Sequence, residues 1–432
     1  MTASYRGKAA MTAHKPLNSP FKVLIASLIG TTIEFFDFYA YATAAVLVFP
    51  TLFFPSGDPT SALLQSFATF SIAFFARPIG AMAFGHFGDR IGRKATLVAA
   101  LLTMGISTVV IGLLPGHSAI GVAAPLLLAL CRFGQGFGLG GEWGGAVLLA
   151  TENAPEGKRS WYGMFPQLGA PVGLLLSSGA FWILLQFISQ TALLTWGWRI
   201  PFIASALLIM LGLWMRLSLT ETPAFQKALE AEERVKVPLI EVFRRHLRAL
   251  FLGTFVALAT FVLFYIASAW LLSYNVKTLH IAFLDALEIQ MAGAVTFGIF
   301  IPLVAKLAER IGHRNSLILT TVLIGVFSFA LAPLLKGGEG AILIFALVSM
   351  ALMGMTYGLL GTTLSAMFPT RVRYTGASLT FNFSGIVGAS LAPYIAVWMQ
   401  KHYGLGAVGL YLLAAAAITL VCVLLSDKRE AI

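Results

Sequence analysis

Twelve apolar runs, each long enough to cross a lipid bilayer as a helix, occupy most of this chain. They lie at roughly 22–49, 61–86, 95–115, 121–150, 161–186, 199–218, 247–273, 284–306, 315–335, 341–367, 376–400 and 405–426. Lipid offers the backbone no hydrogen bonds, so runs of this length cross as α-helices that satisfy their own N–H and C=O groups. The expected fold class is an all-α integral membrane protein with twelve transmembrane helices. Only 11% of the residues are charged, against about 25% in soluble domains.

The net charge of +11 does not signal nucleic-acid binding, because its placement follows the membrane. Counting those at the ends of the predicted spans with the side they border, 23 of the Lys and Arg residues fall on one side, 4 on the other and 2 deep within the spans. The basic side is expected to be the cytoplasm. That places both termini inside a multi-pass protein of the cell inner membrane. Residues 1–20 carry Arg6, Lys8 and Lys15 and lack the pattern of a cleaved signal, so they read as a cytoplasmic tail. The polar stretch 219–246, bracketed by Pro223 and Pro238, reads as a cytoplasmic linker. It divides a six-helix bundle at 21–218 from a second at 247–426, with a short tail at 427–432.

The halves echo each other. Gly85-His-Phe-Gly-Asp-Arg-Ile-Gly-Arg-Lys94 follows the second run, and Ala305-Lys-Leu-Ala-Glu-Arg-Ile-Gly-His-Arg314 follows the eighth, 220 residues on. Glu152-Asn-Ala-Pro-Glu-Gly-Lys-Arg159 follows the fourth, and Ala366-Met-Phe-Pro-Thr-Arg-Val-Arg373 follows the tenth, 214 residues on. Parallel repeats of this kind build one large class of secondary transporters.

At these residues the chain resembles the major facilitator superfamily. The loop Gly85–Lys94 matches that superfamily's signature between helices two and three, and Arg132-Phe-Gly-Gln-Gly136 matches a second signature on helix four. Within the superfamily it resembles the metabolite:proton symporters. That likeness rests on Ile33-Glu-Phe-Phe-Asp-Phe-Tyr39, Phe75-Ala-Arg-Pro-Ile-Gly80, Gly140-Gly-Glu-Trp-Gly-Gly145, Trp196-Gly-Trp-Arg-Ile-Pro-Phe202 and Phe368-Pro-Thr-Arg-Val-Arg-Tyr-Thr-Gly376. The resemblance implies a monomeric carrier of a small-molecule carboxylate or zwitterion (shikimate, di- or tricarboxylates, osmolytes), moved with protons. It also implies a cytoplasmic gate at Gly85, Asp89, Arg90, Gly92, Arg93 and Lys94, with Glu152 and Arg159 after span four. Glu309, Arg310 and Arg373 form a weaker second copy, because Ala366 stands where the first half has Glu152.

Five ionisable residues lie deep inside the spans: Glu34, Asp37, Arg77, Arg132 and Glu142. Each charge at the bilayer centre costs about 2.5–3.5 kcal/mol even on the lenient insertion scale, so the group is expected to pair within a water-accessible cavity. Glu34, Asp37 and Tyr41 share one helical face. In related proton-coupled sugar porters an acid on helix one and an arginine on helix four form the coupling pair, and Asp37 and Arg132 match those positions. Glu34 and Glu142 are further proton-carrier candidates. Arg77, followed by Pro78, and Arg132 could each hold a carboxylate with two parallel hydrogen bonds. Equally, both arginines could be consumed by the buried acids. The glycines around Glu142 read as helix packing.

The second half has no charge clearly inside a span. Its polar candidates for shaping a substrate cavity are Tyr265, Gln290, Tyr357 and Asn382. Cys131 and Cys422 suggest no disulfide, and the histidines lack metal-ligand spacing. No cofactor, metal or catalytic constellation is expected, which argues against an enzyme. The leading function is proton-coupled symport of a small organic acid. Proton-driven drug efflux is weaker, since Gly169-Ala-Pro-Val-Gly173 matches the exporters' helix-five motif only in part. Osmolyte uptake is the other alternative.

Overall fold

The computed structural model describes residues 20–426, apart from Gly92, Gly141, Asn153, Glu156, 219–237 and 370–371. Twelve helical segments follow one another: α1 (Pro20–Leu47), α2 (Pro59–Ile91), α3 (Arg93–Leu113), α4 in two pieces (Ala123–Leu139 and Trp143–Glu152), α5 (Arg159–Phe187) and α6 (Arg199–Ser218). Then come α7 (Leu247–Thr278), α8 (Phe283–Ile311), α9 (His313–Lys336), α10 (Glu339–Ala366), α11 (Arg373–Tyr403) and α12 (Leu405–Leu425). Among the described residues eight helices are long and apolar enough to span a membrane, or nine when α6 is joined to the bent segment Gln190–Gly197 before it. The other three are α1, which carries Glu34 and Asp37, α3, which is described as apolar over Val98–Leu113, and the broken α4.

The helices alternate in direction. We call the end where α1 begins and α12 finishes the base, and the opposite end the apex. In the first bundle α1 lies along α5, α2 along α4, and α3 against α4 and α6. In the second, α8 lies along α10, α9 along α12, and α7 against α11 and α12. The bundles meet where α5 packs on α8 and α10, and where α2 packs on α11.

Two expectations need correction. The segment Gly85–Ile91, read from sequence as loop, continues α2, and α3 starts at Arg93. Gly85 and Gly88 each disfavour helix by only about 1 kcal/mol and no proline intervenes, so α2 runs on past its apolar part. Second, the fourth span is not continuous. Helix covers Ala123–Leu139 and Trp143–Glu152, and between them Gly140 and Glu142 form turns whose N–H groups donate to the Phe137 and Leu139 carbonyls at 3.4 Å. Of the linker, Pro238–Arg245 is helical, with Pro238 at the first position, where its missing N–H costs nothing. The remainder of the linker and both predicted tails fall mainly outside the described residues.

Close approach of α2 and α4 depends on glycine. A Cβ on Gly136 would overlap the backbone of Ala73, and one on Gly140 would overlap the carbonyl of Arg77. The Gly136-xxx-Gly140 spacing therefore acts as a packing stripe, as read from the sequence. Gly136→Ala should push the two helices apart and cost about 1–3 kcal/mol of stability. A lowered unfolding temperature in detergent would register it.

The apex holds an ion pair between the bundles. Lys401 Nζ lies 3.4 Å from Asp58 Oδ2. Asp58 also caps α2, accepting hydrogen bonds from the Ser61 hydroxyl at 2.7 Å and the backbone N–H groups of Thr60 and Ser61. These hold its carboxyl down to about 2, the Ser61 hydroxyl contributing most. The unfolded value is about 3.9, so this stabilisation is fully present above about pH 4 and is lost as pH falls towards 2. The difference in unfolding temperature between the parent and Asp58→Asn should therefore be constant at neutral pH and vanish in that acid window.

Candidate functional site

All five membrane-embedded charges are buried: Glu34 is 3% exposed, Asp37 1%, Arg77 4%, Arg132 0% and Glu142 8%. Arg77 and Arg132 share the Phe38 ring, 4.5 and 4.1 Å from its centroid, and Glu34 acts electrostatically on both Arg77 and Asp37. Arg77 and Glu34 line a narrow cavity between the bundles, together with Phe35, Leu139, Trp143, Phe381 and Asn382. Those residues come from α1, α2, α4 and α11, so both halves contribute. In this state the cavity has room for about one water molecule.

Arg77 is the centre of this site. Its guanidinium lies against the faces of Phe38 and Phe74, 4.5 and 4.7 Å from their centroids. Tyr39, Tyr265, Tyr357 and Glu34 are within its electrostatic reach. The Arg77 Nε has no hydrogen-bond partner, and neither has the buried hydroxyl of Tyr357. A cation stacked on rings, with a free N–H and phenols around it, suits an anionic ligand that brings oxygen acceptors.

Backbone irregularities place the second half's contribution. Tyr265 directly precedes a π-helical turn at Ile266–Trp270, and Asn382 shortly precedes another at Gly385–Ser390. Such bulges rotate side chains out of the helical register and concentrate at functional sites. Tyr265 packs edge-on against Phe70 and Phe74, and Asn382 donates to the Gly140 carbonyl at 3.1 Å in the break of α4. Of the second half's candidates only Asn382 lines the cavity; Tyr265 and Tyr357 reach Arg77 electrostatically without lining it, and the Gln290 carboxamide oxygen is buried without a hydrogen-bond partner.

Arg132 is held apart from the cavity, inside the first bundle. It donates to Gln135 Oε1 at 2.9 Å and to the Phe70 carbonyl at 3.2 Å. Phe38, Tyr41 and Phe70 surround its guanidinium at 4.1–4.6 Å. Tyr41, which shares a helical face with Glu34 and Asp37, therefore serves Arg132 here, and its hydroxyl is unpartnered. The expected direct pairing of Asp37 with Arg132 is not made. Asp37 instead faces Ser205 and Thr108, and neither carboxyl oxygen forms a hydrogen bond of normal geometry. Gln135 bridges the gap: it accepts from Arg132 and donates to Thr108 Oγ1 at 2.8 Å. Two intervening polar residues separate the acid from the base. Glu142 lies in the α4 break, one residue before Trp143.

Little of the expected gate is visible. The side chains of Asp89, Arg90, Arg93, Lys94 and Glu152, with Gly85 and Gly92, lie outside the described residues. Arg159, Glu309 and Arg310 are exposed at the base, and Arg373 donates to the Phe368 carbonyl at 3.2 Å. The base is bridged elsewhere, by Ser160 Oγ and His313 Nε2 at 2.6 Å and by Lys306 over the Trp161 ring at 5.6 Å. At the apex, Trp182 donates to Glu288 at 3.0 Å, and Lys401 pairs with Asp58. Contacts between the bundles thus lie on both sides of the cavity.

Sequence reasoning missed Tyr39, Trp143, Phe381, Gln135 and Gln167. The two glutamines carried a signal, being uncharged polar residues within apolar runs. The aromatic residues carried none, because rings at helical spacing read as ordinary packing.

Two helical bundles that close around a buried, charged cavity have the architecture of a secondary transporter. The chain belongs to the Major Facilitator Superfamily, whose family model matches residues 27–393. It is 56% identical over 424 residues to the inner membrane metabolite transport protein YhjE of Escherichia coli (strain K12), covering 96% of each chain. It is 34% identical over 417 residues to the shikimate transporter of the same organism, covering 95% of each. Among solved structures, a D-xylose-proton symporter superposes with a TM-score of 0.67 at 18% identity, covering 94% of this chain and 97% of that one. At that identity the last likeness bears on the fold alone.

Proposed function

We propose that this protein is a proton-coupled symporter that brings a small organic acid across the inner membrane by alternating access, with its base facing the cytoplasm. The observation that carries this reading is Arg77: a buried guanidinium lining the cavity between the bundles, with one N–H unpartnered. A guanidinium binds a carboxylate through two parallel hydrogen bonds, and exclusion of water strengthens them. Phenols of Tyr39, Tyr265 and Tyr357 suit hydroxyl or carbonyl groups on the rest of the solute. The relative named a shikimate transporter supports a carboxylic acid as cargo. The Lys and Arg bias to one side supports the orientation.

The proton would ride on Asp37. A carboxyl buried in the membrane without an ion-pair partner is far cheaper as the neutral acid than as the anion. Its link to Arg132 through Thr108 and Gln135 gives protonation a route to the α4 signature residues. Reconstitution in proteoliposomes tests the reading. With a pH gradient imposed, labelled mono-, di- and tricarboxylates, shikimate and betaine are screened for solute-coupled proton uptake. Proton flux with an acid is the expected result. Uptake of betaine alone, or accumulation of lipophilic cations in inside-out vesicles, would replace the organic-acid reading by osmolyte uptake or efflux.

A further inference from the structure

The base-side wall of the cavity is built as a clasp between the bundles. Trp143 begins the second piece of α4, and its ring lies flat on Phe381 of α11, 3.8 Å between centroids and 11° between planes. The indole N–H donates to Gln167 Oε1 of α5 at 2.9 Å. The same carboxamide donates from Nε2 to the Tyr357 carbonyl of α10 at 2.7 Å. One fully buried glutamine therefore ties a cavity wall of the first bundle to the backbone of the second. Asn382, beside Phe381, closes a parallel link to the Gly140 carbonyl. Further towards the base the bundles stay in contact where Gly144 faces Ser378 and Gly361 faces Val147.

Both hinges this wall would need are present. The break in α4 lies immediately before Trp143, and the π-helical turn of α11 starts three residues after Asn382. A break and a π-turn both leave backbone groups outside the regular ladder, so each helix can bend there at low cost.

We propose that Gln167 is a positioning residue that holds Trp143 as the movable floor of the binding cavity, and that release of this clasp lets the bundles part at the base. The idea rests on the alternating-access part of the reading above and adds the residues that govern inward opening. It assigns the inward seal to buried ring and carboxamide contacts at the cavity itself. A solute that needs more room than one water and displaces Trp143 or Phe381 to gain it makes occupancy and unlatching one event.

The test is a pair of distance measurements by spin labelling of the full chain in proteoliposomes, with no solute added. One pair, Lys158 with Asn315, reports the base, and the other, Gln186 with His402, reports the apex; all four sites are exposed. Gln167→Met keeps the volume and removes both hydrogen bonds, and Trp143→Phe keeps a ring and removes the donor. Each should populate longer base distances, with Gln167→Met raising the open-to-closed ratio about tenfold, while the apex pair does not lengthen. Should both variants leave the base pair unchanged, the clasp is wrong. Lengthening at both ends would indicate general loosening and would equally overturn it. Because no solute is used, a failed flux screen with a responsive base pair removes the organic-acid reading and leaves the clasp standing.

Discussion

Arg77→Lys weakens acid transport through a raised apparent KM while the carrier still inserts and folds. Lysine keeps the positive charge, so the charge balance of the buried site is retained. What it loses is the planar fork that engages a carboxylate with two hydrogen bonds, and the flat surface that lies against Phe38 and Phe74 at 4.5 and 4.7 Å. One charge-assisted hydrogen bond is worth about 1.5–3 kcal/mol, so the apparent KM should rise roughly 10- to 100-fold. Arg77→Gln is a different experiment. It removes the positive charge together with the fork, so it does not separate charge balance from solute binding. The informative comparison is therefore solute-coupled proton uptake by the lysine variant against the parent at equal protein density. A lysine variant with the parent's KM would mean that Arg77 only balances charge and that the acid binds elsewhere.

Hydropathy made the spans legible because lipid imposes one requirement on every residue of a run. It did not make their ends legible: α2 continues to Ile91 on polar residues, where only local helix preference decides. The break in α4 had a mark in the chain, since Gly140-Gly141 precedes Glu142, but the same glycines were needed for packing against α2. Burial of the five charges was equally readable, because a charge in an apolar run has nowhere else to go. Their partners were not. Whether Arg77 meets Glu34 or Asp37 depends on the rotation of α1 against α2, which no single helix encodes. Asp37 and Arg132 occupy the positions expected of a coupling pair, yet Gln135 and Thr108 stand between them, and Thr108 comes from a third helix. The clasp of Trp143, Gln167 and Phe381 was hidden for a related reason. Each residue taken alone is an ordinary core side chain, and only the meeting of α4, α5, α10 and α11 gives the group a role.

Asp37→Asn should uncouple the carrier without stopping it. Asparagine matches the size and neutrality of the protonated acid, so the packing against Ser205 and Thr108 survives, and the cavity around Arg77 is untouched. What disappears is the ability to exist in two protonation states. One proton per solute across a gradient of one pH unit can sustain about a tenfold accumulation, since each unit is worth about 1.4 kcal/mol. In the variant the accumulation ratio should fall to about one under the same gradient. Exchange of labelled for unlabelled solute needs no net proton movement and should persist within severalfold of the parent. Gln135→Leu separates the acid from the arginine by another route: Arg132 loses its 2.9 Å partner and Thr108 loses the 2.8 Å donor, while Asp37 itself remains able to titrate. It should therefore give an intermediate accumulation ratio with exchange retained. The pair of variants distinguishes two pictures. If Asp37→Asn accumulates solute as the parent does, the proton travels on another group, and Glu34 at the cavity is the next to test. If Asp37→Asn uncouples but Gln135→Leu does not, Asp37 carries the proton and its message bypasses Arg132.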